Sequence, residues 1–381
     1  MMITNKIALS VLTATLLTFT GCGSSEEGTT ASATPKVETP TVKDSTTSTT
    51  PSTTVAPSEL TGDITSDTIL RASTQYRIKG LVKVKNGSTL TIEPGTVIYG
   101  EAKADFLVIT KGSKIMAEGT SANPIIFTSK KALDDSSKAD SGQWGGLTLL
   151  GEAPTNHDNP FYEVDESDAD FEFGGNQAAD NSGVLKYVQI LNSGAEVATD
   201  QEINGLSLAG VGSGTTIDEI VVTNSGDDCV EIWGGTVNVS NISMTNCLDD
   251  SFDLDYGYVG TATNITVVQT EAAHAGFEIS SGGTSPMTSP TIKNFTITKV
   301  AGSDEGGIYI KDDTTAPTFI DGTVTTTSVA DAEGAIRAKK VMSANQKSTL
   351  AFKNVTLNAD VKYFGAGATD AQERHTANDA N

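Results

Sequence analysis

Short apolar triplets that recur at one step constrain this chain more than any other feature. An apolar-x-apolar pattern appears at Leu206/Leu208, Val230/Ile232, Phe252/Leu254, Phe277/Ile279 and Ile308/Ile310, with successive first members 24, 22, 25 and 31 residues apart. A second series, Ile220/Val222, Ile242/Met244, Ile265/Val267 and Phe295/Ile297, advances by 22, 23 and 30. Segments this short, rich in β-branched residues and bounded by Gly, Asn, Asp and Ser, read as strands. Two interleaved series advancing together mean coils stacked on coils. The predicted fold is therefore all-β, a right-handed parallel β-helix. Each coil pairs its backbone with the coils above and below at about 4.8 Å, and alternate side chains fill a narrow apolar core. A sandwich of hairpins also supplies short strands, but it gives no reason for two ladders in phase. A solenoid escapes the size limit that would otherwise split the residues after Leu60 into two cores.

Triplets continue toward the N-terminus at Leu90/Ile92, Leu107/Ile109 and Ile125/Phe127, steps of 17 and 18 that predict shorter coils there. Residues 152–183 interrupt the pattern with few strand signals and many carboxylates. Loops this long in a compact fold are functional or disordered, so this one is predicted to be an arm folding over one face. The coil body is expected over residues 59–365, and residues 366–381 read as a flexible tail.

The first residues have the form of a secretory leader. Lys6 precedes an apolar run from Ile7 to Phe19, and "TFTGC" ends at Cys22. The run is too short to span a bilayer. A cysteine after a small residue at this point resembles the lipobox of bacterial lipoproteins, which implies a leader over residues 1–21 and acylation of Cys22. Residues 22–58 are Ser, Thr, Pro and Glu with almost nothing apolar, the composition of a disordered tether. The chain is thus expected to be exported and held at the outer membrane or cell surface by lipid. Its formal charge of −23 argues against nucleic acid and anionic lipid as partners, and favours cations. Of the other cysteines, Cys229 and Cys247 stand on neighbouring coils. An exported pair could bond, and the sequence leaves that open.

Aligning the coils on their triplets lines up acids. Three residues before the triplet stand Asp227, Asp249, His274 and Glu305; two before stand Asp228, Asp250, Ala275 and Gly306; inside the triplet stand Glu231, Asp253, Glu278 and Tyr309. The inner position points away from the core if its neighbours point in, so carboxylates stack on carboxylates. Like charges opposite one another cost a few tenths to about 1 kcal/mol per pair. Three things could offset this. Ca²⁺ could be held by Asp227, Asp228, Glu231, Asp249, Asp250 and Asp253; protons could be shared; or the columns could simply face water.

Several phrases resemble a group of exported bacterial β-helix proteins of the pectin-lyase-like type: "LTIEPGTVIYG", "EGTSANPIIFTS", "WGGLTLLGEAPTN", "EIWGGTVN" and "DDSFDLDYGYVG". The resemblance runs from about Leu90 to Gly260 and implies the fold and a surface location, without an assigned activity. A partial resemblance to polygalacturonases, also right-handed β-helices, is carried by Asp228, then Asp249 and Asp250, then His274, then Lys311 in "IYIK". It implies inverting hydrolysis, one carboxyl protonating the leaving oxygen and another activating water. His274 lies between alanines where that pattern has glycines, Tyr309 replaces its arginine, and Arg337 with Lys339 comes a coil late.

Other residues read as structural. Trp144 and Trp233 are expected to cap the apolar core, and Asn224 and Asn246 to stack in turns. His157 and His375 offer no partner set. The sequence thus supports a lipid-anchored surface module that binds a divalent cation and a polysaccharide, with a glycoside hydrolase as the alternative. A polysaccharide lyase is disfavoured, because no Lys or Arg stands in the columns from Asp227 to Glu278.

Overall fold

A computed structural model describes residues 54–55, 58–198, 201–283, 285–300, 305–327 and 334–379. The predicted leader, Cys22 and most of the tether lie outside the described residues. Where the tether was expected to run to residue 58, Thr54–Val55 already pairs as a strand with Thr68–Ile69.

Among the described residues, 24 strands form one sheet whose pairings are all parallel, wound into the expected β-helix. Each coil has three faces. The first carries Leu147–Leu150, Leu206–Ala209, Val230–Trp233, Phe252–Asp255, Phe277–Ile279, Ile308–Ile310 and Ile336–Ala338 in continuous register. The second and third faces are halves of one bent strand: Thr216–Thr223, Asn238–Thr245, Thr261–Gln269, Thr291–Val300, Thr318–Thr327 and Ala351–Asn358.

One residue makes each bend. Asn241, Asn264, Asn294, Asp321 and Asn354 all have φ between 53° and 60°, a left-handed conformation that Asn and Asp tolerate because their short polar side chains hydrogen-bond locally. Here the partners are each other. Asn264 Nδ2 donates to Asn241 Oδ1 at 2.8 Å, Asn294 to Asn264 at 3.3 Å, and Asn354 to Asp321 at 2.7 Å.

Inside the coil the core is dry. The triplet residues Leu206, Leu208, Ile232, Phe252, Leu254, Phe277 and Ile279 have no accessible surface, and each such side chain contributes roughly 1.5–3 kcal/mol by leaving water. Phe252, Phe277, Phe295, Phe319 and Phe352 form a file with centroid spacings of 5.8, 5.5, 5.9 and 5.1 Å. The residue just before each triplet must be small. A Cβ on Gly276 would stand 2.7 Å from the core methyl of Ile297 and 2.6 Å from the Gly307 carbonyl oxygen. Ser251 occupies this position one coil earlier, and Cys229, two coils earlier, is bridged to Cys247 with Cα atoms 5.5 Å apart.

The N-terminal steps of 17 and 18 are not short coils. Leu90 pairs with Ile115, Leu107 with Val82 and Leu147, and Ile125 with Val188, so the three triplets lie on three different faces. The flexible tail is also corrected. Ala368–Asp379 is a helix that buries Ala371 and His375 and packs on Ala351–Asn358.

Candidate functional site

Side chains on the first face that point away from the core form one outward file. The register runs Lys83, Val108, Thr148, Ser207, Glu231, Asp253, Glu278, Tyr309, Arg337, Phe364. Three consecutive rungs are carboxylates.

The arm, residues 152–182, lies over the rungs before them. Tyr162, Phe171 and Phe173 pack with Phe106, Val108, Leu150 and Trp233 in a second apolar cluster outside the coil. Trp233 therefore serves the arm, not the core it was predicted to cap. It lies 4.8 Å from Tyr162 and 5.8 Å from Phe173, centroid to centroid. Trp144 does join the core, with its indole N–H on the Leu191 carbonyl at 2.8 Å. Ion pairs pin the arm's far side: Lys83 to Asp168 at 2.8 Å and to Asp170 at 2.5 Å, and Lys111 to Glu172 at 2.8 Å. Tyr162 reaches the file itself, its hydroxyl 2.9 Å from Ser207 Oγ.

The solvated-columns reading fails at most of these positions. Asp228, Glu231, Asp250 and Glu278 are 6%, 8%, 4% and 3% exposed, whereas Asp249 and His274 remain open to solvent. Two acids have a visible structural duty. Asp228 Oδ1 accepts the Asp250 backbone N–H at 2.8 Å, and Asp250 Oδ1 accepts the N–H of Ala275. Glu231 accepts from Asn204 Nδ2 at 2.5 Å. Glu278 is paired with Lys311 at 2.6 Å. His274 Nδ1 meets the Asp249 carboxylate and lies 3.5 Å from Glu305 Oε2. Asp253 Oδ1 differs: it is buried and, among the described residues, no donor reaches it.

Crowded acids hold protons. Burial, then the fields of Asp249 and Glu202, push Asp227 up to about 7. Burial, then Asp227 and Glu202, push the arm's Glu163 up to about 8. Burial first and neighbouring carboxylates second hold Asp228, Glu231, Asp250 and Asp253 well above the usual range. Glu278 is raised too, burial outweighing its lysine.

Sets of carboxylate oxygens converge within 4.8 Å: Asp227, Asp228 and Asp249; Asp228, Glu231 and Asp253; Asp250, Asp253 and Glu278; and Asp249, Asp250 and Glu305 with His274. Two oxygens that each bind one Ca²⁺ at about 2.4 Å can stand up to about 4.8 Å apart, so each span suits a shared ion. At that separation two full charges repel by about 3.5 kcal/mol at an effective dielectric of 20. Protons or a cation must intervene. The third set already has Lys311. The second is more acidic: the fields acting on Glu231 come from Asp253, Glu163, Asp227 and Asp255, all acids, and Lys311 acts on its Asp253 member. Its donors are all hard oxygens, and it includes Asp253, whose Oδ1 has no donor among the described residues, so this set fits Ca²⁺ best.

All six predicted metal ligands are thus brought together, as are His274 with Asp249 and Lys311 with Glu278. The predicted ligand set omitted Glu163, Glu202, Glu278 and Glu305. Glu278 and Glu305 stand in the aligned columns and could have been included. Glu163 on the arm and Glu202 on the hairpin Glu196–Ala198/Gln201–Glu202 carry no local signal. Asn224 and Asn246 are turn residues with φ of 57° and 53°. His157 stacks on Tyr256 at 3.9 Å, and His375 has partners after all, at Tyr363 and Val355.

No protein of curated function matches the chain. Two solved structures show a low-level similarity to the chain: the enzymatically active domain of tailspike protein 2 of bacteriophage CBA120, and the full-length tailspike protein 2 from an Escherichia coli O157:H7 bacteriophage. The first is 13% identical with a TM-score of 0.28, over 72% of this chain and 36% of that one. The second is 14% identical with a TM-score of 0.29, over 74% of this chain and 42% of that one. Likeness at this level has no bearing on chemistry. The match that does identify the fold family is to the model of the pectate-lyase-like β-helix domain, over residues 62–381. With that extent and an all-parallel coil beneath it, the chain belongs to the pectate-lyase-like β-helix family.

Proposed function

We propose that this chain is a β-helix binding module that holds a divalent cation, Ca²⁺ by its donor chemistry, and recognises carbohydrate at the cell surface. The ion would be held by Asp228, Glu231 and Asp253, with Asp227, Asp249 and Asp250 beside them. The observation that carries this reading is Asp253 Oδ1, a buried oxygen that no donor reaches among the described residues, in a cluster of carboxylates that raise one another's pKa. A buried, unsatisfied polar atom costs about 1–3 kcal/mol, and a cation removes that cost together with the mutual repulsion. Acylation of Cys22 would tie the module to the membrane, with the Ser/Thr-rich segment as a spacer.

Calorimetric titration of chelator-treated protein with CaCl₂ tests the ion. Saturable binding with a raised unfolding midpoint is the expected result; no heat and no shift in midpoint would remove the reading. Labelling with a fatty-acid analogue in an exporting bacterial host tests the anchor, with Cys22→Ala as the unlabelled control.

The inverting hydrolase using Asp228, Asp249 and Asp250, with His274 and Lys311, is a second reading, favoured by the open Asp249–His274 pair. Against it, converging oxygens within 4.8 Å leave less room than the roughly 6.5–9.5 Å that an inverting pair keeps for its water. Asp228 and Asp250 also spend an oxygen each on backbone. Release of reducing sugar that disappears in Asp249→Asn would favour this reading over the first.

A further inference from the structure

A cavity of about 440 Å³ lies between the loop at Asp140 and the turns that lead into the three successive coils carrying Glu231, Asp253 and Glu278. We propose that it is a saccharide subsite for a neutral or amino-bearing sugar unit, and not for a uronate. This rests on the carbohydrate-binding part of the function proposed above and says where the sugar sits and of which class it is.

Rigidity comes first. Gln269 forms the floor with all of its hydrogen bonds committed: Oε1 accepts the Cys247 N–H at 3.1 Å, and Nε2 donates to the Cys247 carbonyl at 3.0 Å and to Ser251 Oγ at 2.7 Å. The bridge from Cys247 to Cys229 fixes the same turn. A preformed wall of this kind limits the ordering cost of binding.

The lining then sets the ligand. Asn246 Oδ1 is committed to the N–H and hydroxyl of Thr270 at 2.9 and 3.0 Å, while its Nδ2 makes no hydrogen bond among the described residues. The side-chain amide of Asn224 is likewise unspent. Glu271 and Asp140 add acceptors, and Leu248, 47% exposed, lies beside Ala272 as an apolar patch. Donors and acceptors at close spacing next to a small apolar surface match a hydroxylated ring, which presents both kinds of group and one apolar face. The volume exceeds what one ammonium side chain fills. The fixed charges in the lining are both negative, which disfavours a uronate or phosphate and tolerates an ammonium. Asp249 and His274 directly follow Leu248 and Ala273 of the lining in the chain, so a longer glycan leaving the cavity would meet them next.

Isothermal titration of the full folded chain, with calcium and again with chelator, tests this with four probes: cellotriose, a glucosamine trimer, trigalacturonate and trilysine. The expected result is that one or both of the first two bind, that trigalacturonate binds at least tenfold more weakly, and that Ala272→Trp, which fills the cavity, weakens binding at least tenfold. Asn246→Gly keeps the left-handed turn and removes the amide; a several-fold loss is expected, and it serves if the Trp variant fails to fold. Absence of binding by both sugars overturns the proposal, as does tighter binding of trigalacturonate or trilysine, or sugar binding that neither variant alters. Calcium titration of the same sample reads the acidic file separately. Sugar binding that neither variant alters fails the subsite alone, a chain that binds calcium but no sugar fails the carbohydrate part of the proposed function as well, and one that binds sugar without calcium heat fails only the cation reading.

Discussion

The carboxylate of Asp228 accepts the backbone N–H of Asp250 one coil later, at 2.8 Å, while Asp250 does the same for Ala275. One acid per coil thus staples the turn that leads into the next, and the same acids face the candidate ion. Structure and binding can be separated by substitution. Asp228→Ala leaves a buried N–H without an acceptor and should cost about 1–3 kcal/mol. Asp228→Asn keeps an acceptor oxygen and removes a charge from an acidic cluster, so its cost without metal should be under about 1 kcal/mol. The Asn variant should nevertheless lose most of the calcium-induced rise in midpoint. Urea unfolding with and without CaCl₂ measures both, and equal calcium responses in wild type and Asp228→Asn would count against Asp228 as a ligand.

The pH dependence follows from protons held in the folded state. Asp227 titrates near 7 and Glu163 near 8 when folded, against about 3.9 and 4.3 for the unfolded chain. Between those limits the folded state binds more protons, so stability without metal falls as pH rises from about 4 to about 8. Calcium requires deprotonated ligands, so the midpoint shift it produces should grow over the same range. Thermal unfolding at pH 5, 6.5 and 8 with chelator, then with calcium, checks the sign. A metal-free protein that gains stability toward pH 8 contradicts the buried, proton-sharing description of these acids.

How much of this was legible in the sequence depends on how local each signal is. From Leu206 onward, each coil adds an apolar triplet to the first face, and the bent strand repeats in phase, so the period is visible. In the early coils the three faces are separate strands of similar composition, and taking Leu90, Leu107 and Ile125 as one ladder mistook three sides of the coil for three coils. The columns of acids were legible because Glu231, Asp253 and Glu278 follow the same period as the core. Their surroundings were not, because the groups beside them are distant in the chain: the arm's Glu163 acts on Glu231 and Lys311 pairs with Glu278. The helix at Ala368–Asp379 was missed for a related reason. It buries only Ala371 and His375 among its described side chains, which leaves no apolar stripe to read.

The arm depends on Trp233, which touches Tyr162, Phe173 and Tyr256. Removing a buried indole costs about 3–5 kcal/mol. Because the coil beneath has its own core, that loss should appear as local opening and not as global unfolding. Trp233→Ala is expected to become sensitive to limited proteolysis within residues 152–182 while its far-UV circular dichroism stays that of wild type. Cleavage spread evenly along the chain would show that arm and coil are not separable.

A parallel coil must also end, and an uncovered last coil is an open edge with unpaired backbone groups. Here the helix Ala368–Asp379 lies against that coil. Arg374 Nε donates to the Leu350 carbonyl at 2.9 Å, the His375 ring bridges the Tyr363 hydroxyl and the Val355 carbonyl, and Asp370 receives the Met342 N–H at 2.9 Å and Lys347 at 2.7 Å. His375 Nε2 faces a carbonyl and so donates to it. His375→Ala leaves the buried Val355 carbonyl unsatisfied and removes the ring that lies 5.5 Å from Phe352, and should cost about 1–3 kcal/mol. A chain truncated after Gly367 loses the whole cover and bares Phe352 and the end of the coil. It should self-associate at micromolar concentration, seen as higher mass by size exclusion with light scattering. If the truncated chain stays monomeric with an unchanged midpoint, the helix is dispensable and the end of the coil is protected by something else.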